Sequence, residues 1–175
     1  MVMKEQLILV DEQDKQTGAL DKLSVHQKGL LHRAFSVFIF NSKDELLLQQ
    51  RAGDKYHSSL LWSNTCCSHP LSGEDISDTV ERRLEEEMGL KCKTQFVFRF
   101  VYKIFFENGL TEHEWDHVYF GRSDDLPKPN REEVKDWKYI SLEKLSEEIS
   151  SNPENFSGWL NICFPEVIKH FKNKF

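Results

Sequence analysis

The chain has 175 residues and a formal net charge of −6, which fits one globular domain and excludes a broad basic surface for nucleic acid or an anionic membrane. Hydrophobic residues make up 39% of the sequence and charged residues 30%, so the composition excludes a disordered or collagen-like chain. No segment has the length of a membrane span, and residues 1–15 turn acidic after a short apolar run, unlike a signal peptide.

The cysteines predict free thiols. Cys66 and Cys67 are adjacent, and Cys92 and Cys163 lie far along the chain, a spacing that does not suit a disulfide framework. Free thiols are typical of a reducing compartment, so we expect a cytoplasmic protein.

The first half of the chain predicts strands followed by a long loop. Residues 6–10 have the composition of a strand, and residues 11–18 are rich in turn formers. Residues 34–40 and 46–51 are rich in strand formers on either side of a short turn, which predicts a β-hairpin. Residues 52–73 are loop-like and contain the densest group of reactive side chains.

The clearest helix follows this loop. Ile76, Val80, Leu84 and Met88 recur every four residues and form one apolar stripe. Ser72 or Glu74 is expected to begin the helix, and Gly89 stands where a left-handed C-terminal cap is favoured.

The second half predicts a sheet flanked by helices. The predicted strands cover residues 96–106, 114–121 and 137–140, and the predicted helices cover residues 142–150 and 157–173. The sequence as a whole predicts an α/β fold with a mixed β-sheet, as a single domain over residues 1–175.

The predicted helix that contains Ile76 and Met88, together with the residues just before it, resembles the Nudix box, the loop–helix signature of diphosphate-processing enzymes. The matching pattern is Glu74-x7-Arg82-Arg83-Leu84-x-Glu86-Glu87-Met88-Gly89-Leu90. Carboxylates on one helical turn suit Mg²⁺, which takes one or two protein oxygens and shares the rest with phosphates. Alternatively, Arg83 and Glu87 form an ordinary surface ion pair worth about 0.3–0.5 kcal/mol.

Two positions depart from the Nudix pattern. Ser68 replaces the glycine expected six residues before Glu74, and Arg83 replaces the glutamate expected after Arg82. That glutamate is central to hydrolysis in Nudix hydrolases, so its absence argues against hydrolysis while the fold can remain.

Cys67 and His69 form a second group. Neighbouring residues of an extended segment point in opposite directions, so Cys67 rather than Cys66 shares a face with His69. Nearby cations are expected to stabilise a thiolate at Cys67. Buried structural thiols are the alternative interpretation, and it suits the other three cysteines.

Four more residues complete a possible metal site with His69: Glu112, Glu114 and the pair His26 and His32, which has Lys22 four residues upstream. Glu112 and Glu114 share a face if they lie on a strand, although spacing alone leaves exposed turn carboxylates equally open. With His26, His32 and His69 they would form a three-imidazole, two-carboxylate site, which suits Mn²⁺, Fe²⁺ or Zn²⁺ better than Mg²⁺.

Several stretches together resemble the type 1 isopentenyl-diphosphate Δ-isomerase family. They are residues 31–41, 46–51, 64–70, 112–114 and 156–159, and the similarity extends from about residue 5 to residue 170.

The resemblance implies a role for each candidate residue. Cys67 and Glu114 would be the catalytic pair that moves protons in a 1,3-shift of the double bond, through a carbocation-like state. The expected ligands of a transition metal such as Mn²⁺ or Zn²⁺ are His26, His32, His69, Glu112 and Glu114. Glu87 would hold Mg²⁺ with the diphosphate. The residues expected to bind the isoprenoid diphosphate substrate are Lys22, Arg51, Lys55, Ser68, Arg83, Tyr102 and Trp159.

Two other functions remain as alternatives. A Nudix hydrolase of a nucleoside diphosphate derivative would not explain Cys67, and a metal-stabilised binding module would show no turnover. The expected partners are the small substrate alone, without nucleic acid or membrane, in a monomer or weak homodimer.

Overall fold

The computed structural model describes residues 5–55 and 57–174, so positions 1–4, 56 and 175 of the predicted domain lie outside the described residues. The strands are β1 Gln6–Val10, β2 Gln16–Asp21, β3 His32–Phe40, β4 Glu45–Arg51, β5 Trp62–Ser63, β6 Cys66–Ser68, β7 Thr94–Phe105, β8 Thr111–Arg122 and β9 Val134–Ser141. The α-helices are α1 Lys22–Lys28, α2 Ile76–Met88, α3 Leu142–Ser151 and α4 Gly158–Lys174, and a short 3-10 helix covers Pro153–Asn155. None of the helices in these ranges is long and apolar enough to cross a membrane.

The sheet is mixed, as the sequence predicted. β3 pairs with β8 in parallel from His32↔Glu114 to Phe40↔Arg122, and the other pairs are antiparallel. The predicted hairpin of β3 and β4 forms only beside its turn, where Phe40 pairs with Leu46. Beyond that pair the two strands separate, because β3 pairs with β6 and β4 pairs with β5 and β9.

Helices cover both faces of the sheet. Phe38 and Phe40 of β3 pack with buried residues of α3 and α4, such as Leu145 and Phe164. Alternate residues of β3 pack with Val80, Leu84 and Met88 of α2, as a period of two along a strand requires.

The predicted helix α2 begins later than expected. Its N-cap is Asp75 and not the predicted Ser72 or Glu74, and the Asp75 side chain accepts hydrogen bonds from the backbone N–H groups of Ser77 and Asp78, a role for which aspartate is among the preferred residues. Glu74 instead accepts a hydrogen bond from the Thr79 hydroxyl. Gly89 ends the helix at φ 65°, as predicted.

Helix α1 and strand β2 are not apparent in the sequence pattern. β2 is an edge strand without a buried face, and α1 has only seven residues. Asp21 caps α1 by accepting a hydrogen bond from Ser24 N–H, and Gly29 ends it in the left-handed region. A helix this short depends on its caps and its tertiary contacts rather than on its own propensity.

Replacement of Gly89 by alanine should destabilise the fold more than the same change at Gly109. Both glycines have positive φ, which costs an alanine about 1–2 kcal/mol. A Cβ at Gly89 would also lie 2.6 Å from the Lys128 carbonyl oxygen, whereas a Cβ at Gly109 meets nothing within 4 Å. We expect the free energy of unfolding in urea to be lower for Gly89→Ala than for Gly109→Ala by about 1–3 kcal/mol. Equal values would contradict this account of the Lys128 contact.

Candidate active site and metal centre

A cavity of ≈ 440 Å³ opens where β3 and β4 separate. Twelve of the fourteen predicted site residues line it: Lys22, Arg51, Lys55, Cys67, Ser68, His69, Arg83, Glu87, Tyr102, Glu112, Glu114 and Trp159. The other two, His26 and His32, are buried, and the centres of their rings lie 5.7 Å and 5.0 Å from that of His69.

Four predicted metal ligands converge on one point beside this cavity. One ligand atom from each of His26, His32, His69 and Glu114 lies within 4.8 Å of the others. Glu114 Oε1 is 2.9 Å from His69 Nε2 and 3.3 Å from His32 Nε2. The four side chains come from α1, β3, the segment after β6, and β8, so only the folded sheet brings them together.

Glu112, the fifth predicted ligand, lies beside this cluster. Glu112 and Glu114 are both 5% exposed on β8, so the alternative of exposed turn carboxylates is wrong. The Tyr102 hydroxyl lies 2.6 Å from Glu114 Oε2 and 3.2 Å from Glu112 Oε2. The other oxygen of Glu112 lies 3.0 Å from His57 Nε2.

Without an ion, two of the three imidazoles of this cluster are neutral. Burial and, secondarily, the neighbouring His69 and His32 lower the pKa of His26 to about 3. Burial likewise lowers the pKa of His69 to about 4, against the opposing effect of Glu114. Burial also acts to lower the pKa of His32, but its contacts with Glu114 outweigh burial and raise it. Neutral imidazole is the form that binds metal ions.

Glu114 is the anionic member of the cluster. Burial alone would raise the pKa of its carboxyl, but the adjacent imidazoles of His32 and His69 hold that pKa well below its usual range. The buried Nε2 of His32 has no hydrogen bond of acceptable geometry among the described residues, although Glu114 lies nearby. Three imidazoles, a carboxylate and this unsatisfied nitrogen fit a divalent metal ion.

The two adjacent cysteines have different surroundings. Cys66 is fully buried in the core beside α2, and Cys67 lines the cavity with its Sγ 3.9 Å from Arg51 Nη1. The expected thiolate at Cys67 is not favoured in the metal-free protein. Burial raises the pKa of Cys67 well above its ordinary value, and Arg51 opposes this only in part, so Cys67 is a thiol at neutral pH.

The predicted diphosphate-binding cations share the cavity with carboxylates. Lys55 forms an ion pair with Glu133, which also lines the cavity. Arg83 Nη2 lies 2.6 Å from Glu87 Oε1. Glu87 is 4% exposed, so the interpretation of this pair as an ordinary surface ion pair is wrong. Arg51 lies over the ring of Trp159, 5.2 Å from its centre.

The family model of the NUDIX domain matches residues 30–160. Isopentenyl-diphosphate Delta-isomerase 2 from Aromatoleum aromaticum is 49% identical over 166 residues, which cover 95% of this chain and 88% of the relative. Isopentenyl-diphosphate Delta-isomerase from Pectobacterium atrosepticum is 48% identical over 97% of this chain and 96% of its own length. This chain belongs to the isopentenyl-diphosphate Δ-isomerase family.

Solved structures confirm the fold of this family member at greater distance. A crystal structure from Deinococcus radiodurans, 20% identical, has a TM-score of 0.78 and covers 93% of this chain and 98% of its own. The MutT protein from Methanosarcina mazei, 18% identical, has a TM-score of 0.68 and covers 83% of this chain and 96% of its own. These similarities confirm the predicted Nudix-like α/β fold and carry no further argument about function.

His57, Glu133 and Asn64 are residues of this isomerase-family site that were not predicted from the sequence. His57 and Glu133 line the cavity, and the Asn64 side chain accepts a hydrogen bond from Trp159 Nε1 at 3.0 Å. Asn64 belongs to one of the stretches that carry the family resemblance, but no spacing rule gives it a role. His57 lies in a loop and Glu133 directly precedes β9, and no local pattern marks either of them.

The metal cluster can be tested with one histidine inside the cluster and one outside it. His69→Gln removes an imidazole of the cluster, whereas His113→Gln changes a residue between Glu112 and Glu114 whose Nδ1 lies 3.2 Å from the Gly29 carbonyl oxygen. After Mn²⁺ loading and desalting, we expect elemental analysis to find metal in the His113→Gln protein and much less in the His69→Gln protein. Equal metal contents would exclude His69 as a ligand.

Proposed function

We propose that this chain interconverts isopentenyl diphosphate and dimethylallyl diphosphate by a metal-assisted 1,3-proton shift. The observation that carries the proposal is that Cys67 and Glu114 line one cavity in a chain nearly half identical, over almost its full length, to relatives named for this isomerisation. The alternative function is hydrolysis by a Nudix enzyme. This chain lacks the glutamate expected at position 83 for that reaction, and Arg83 instead pairs with Glu86 and Glu87.

The overall reaction needs one proton added and one removed. A proton joins the terminal alkene carbon, positive charge develops at the tertiary carbon, and a proton leaves the carbon next to the one that bears oxygen. Because the reaction is reversible, Cys67 and Glu114 exchange acid and base roles between the two directions. A thiol at Cys67 and a carboxylate at Glu114 supply one carried proton and one acceptor, consistent with such a pair.

Glu114 is well placed to exchange a proton. Its Oε2 lies 2.6 Å from the buried Tyr102 hydroxyl, whose pKa is raised by burial and by the two neighbouring carboxylates. The hydroxyl therefore stays protonated and donates its hydrogen bond. A divalent ion, when bound by His26, His32, His69 and the two glutamates, would withdraw electron density from Glu114 and make its acid form stronger.

The positive charge at the tertiary carbon needs an electron-rich group beside it. Our candidate for that group is the indole ring of Trp159. The indole lines the cavity and is 2% exposed, and its Nε1–H donates to Asn64 Oδ1 at 3.0 Å, which fixes the ring. A desolvated cation–π contact is worth about 2 kcal/mol, which corresponds to roughly thirtyfold in rate.

The diphosphate group is assigned to the cationic side of the cavity. We infer that Lys22, Arg51, Lys55, Ser68 and Arg83 contact it, because all of them line the cavity. Glu87 would help to hold Mg²⁺ against the diphosphate oxygens, as one buried carboxylate among largely non-protein ligands.

The remaining features of the proposal concern the whole molecule. We infer a single domain over residues 1–175, a cytoplasmic location, and a monomer or weak homodimer without nucleic acid or membrane partners. The net charge of −6 supports the absence of polyanionic partners.

Matched substitutions at the two adjacent cysteines test the catalytic assignment. We expect Cys67→Ala to lower kcat by about 10²–10⁴-fold, the usual effect of removing a group that transfers a proton. Cys66→Ala removes a thiol from the core beside α2 and should retain most of its turnover after correction for folded fraction. Turnover by coupled assay and folded fraction by circular dichroism would be measured on both. Similar kcat values would refute the assignment of Cys67.

Isotope incorporation separates the isomerase from the hydrolase. Isopentenyl diphosphate in heavy water with Mg²⁺ and Mn²⁺ should yield dimethylallyl diphosphate with solvent deuterium in its new methyl group, because the donor exchanges with solvent. No phosphate should be released. Glu114→Gln should lose both product and label, because an amide can neither donate nor accept the proton that the reaction moves. Release of phosphate by the unmodified protein as fast as isomerisation would overturn the proposed function.

A further inference from the structure

His57 contacts the one predicted metal ligand that lies outside the close cluster. Its Nε2 lies 3.0 Å from Glu112 Oε1, and both side chains are only 6% exposed. His57 also lines the cavity, so it borders both Glu112 and the space assigned to the substrate.

The loop that carries His57 is fixed at its base by Arg51. Arg51 N–H donates to the Leu61 carbonyl at 3.0 Å, and the Arg51 carbonyl accepts from Leu60 N–H at 3.2 Å. The Arg51 guanidinium also donates to the His57 carbonyl at 3.4 Å. Ser58 and Leu60 both have positive φ, at 52° and 62°, and non-glycine residues keep that conformation only where surrounding contacts enforce it.

Aromatic contacts then fix the plane of the imidazole. His57 stacks on Phe106 with ring centres 4.5 Å apart and planes at 19°. It also makes an edge-to-face contact with Trp159, with ring centres 6.1 Å apart and ring planes at 88°. Nδ1 lies 3.4 Å from the Ser58 hydroxyl, which can donate to it. This arrangement favours the tautomer whose Nε2–H donates to Glu112.

Glu112 has few other groups to orient it. Its Oε2 lies 3.2 Å from the Tyr102 hydroxyl, but that hydroxyl is closer to Glu114, at 2.6 Å, and has a single proton to donate. Among the contacts described for Glu112, Tyr102 is shared with Glu114. His57 is the donor that Glu112 does not share with Glu114.

We propose that His57 is a positioning residue that holds the Glu112 carboxylate toward the cluster of His26, His32, His69 and Glu114, and so raises the affinity of this centre for a divalent ion. The inference rests on the metal centre of the proposed function and extends it to a residue of the 52–61 loop. Hydrogen-bond partners of ligating carboxylates commonly affect metal affinity in this way.

Two substitutions separate this role from a purely structural one. His57→Phe keeps an aromatic ring to stack on Phe106 but removes the N–H donor. His57→Gln removes the ring but keeps an N–H donor at nearly the same reach. A packing role predicts that phenylalanine is the better replacement, whereas positioning of Glu112 predicts that glutamine is.

The measurement is the Kd for Mn²⁺ of each metal-free protein, from electron paramagnetic resonance of free Mn²⁺ during titration, with folding checked by circular dichroism. We expect His57→Phe to raise Kd by about 10–100-fold and His57→Gln to remain within a few-fold of the unmodified protein. In the Glu112→Gln background, His57→Phe should change Kd less than about twofold, because the group it positions is gone. An unchanged Kd in His57→Phe, or a larger loss in His57→Gln than in His57→Phe, would overturn the inference. Failure of the proposed function is distinguishable, because the unmodified protein would then bind Mn²⁺ and give no dimethylallyl diphosphate.

Discussion

The site depends on the separation of β3 from β4, and the buried hydroxyl of Thr65 lies where these two strands separate. β3 and β4 pair at Phe40↔Leu46, and at the next position the side chain of Thr65 stands between them. Its Oγ1 accepts a hydrogen bond from Ile39 N–H at 2.9 Å and donates to the Leu47 carbonyl at 2.6 Å. A hydroxyl can satisfy both strands at once because it is both donor and acceptor. Ile39 N–H and the Leu47 carbonyl therefore remain hydrogen-bonded at this fork, the point where the two strands separate. The cavity forms in the space beyond the fork.

Neighbouring amides connect this fork to the reactive side chains. Asn64 Nδ2 donates to the Val37 carbonyl at 3.2 Å and to the Cys66 carbonyl at 2.8 Å, and its Oδ1 accepts from Trp159. Gln49 Nε2 donates to the Thr65 carbonyl at 2.8 Å and lies 3.1 Å from Glu87 Oε2. Cys67, Trp159 and Glu87 are therefore positioned by one buried polar network, and such networks fix geometry well when their members are satisfied.

Periodicity predicted the parts of the fold that depend on local sequence. The stripe on α2 was visible because it buries a regular set of side chains, and β7 and β8 were visible because they are rich in aromatic and β-branched residues. The separation of β3 from β4 was not visible in the sequence. It depends on Thr65, which lies 26 residues from Ile39 and 18 residues from Leu47. Family resemblance predicted site residues that the fold places in or beside one cavity, but their spacing could not decide whether Glu112 and Glu114 were buried. That depends on the pairing of β8 with β3, and the contact between His57 and Glu112 likewise arises only when a loop meets a distant strand.

The ion pair between Lys55 and Glu133 affects how an anion enters the cavity. Arg83 is similarly held by Glu86 and Glu87, so these two cations are already ordered and paired with the protein's own carboxylates. Immobilising a long side chain on binding usually costs about 0.5–1.5 kcal/mol, and here much of that ordering precedes the ligand. If Lys55 binds the diphosphate as proposed, the incoming oxygens would exchange with the Glu133 carboxylate at Lys55. A multiply charged anion would be favoured in that exchange, because a singly charged one offers Lys55 no more than Glu133 already does.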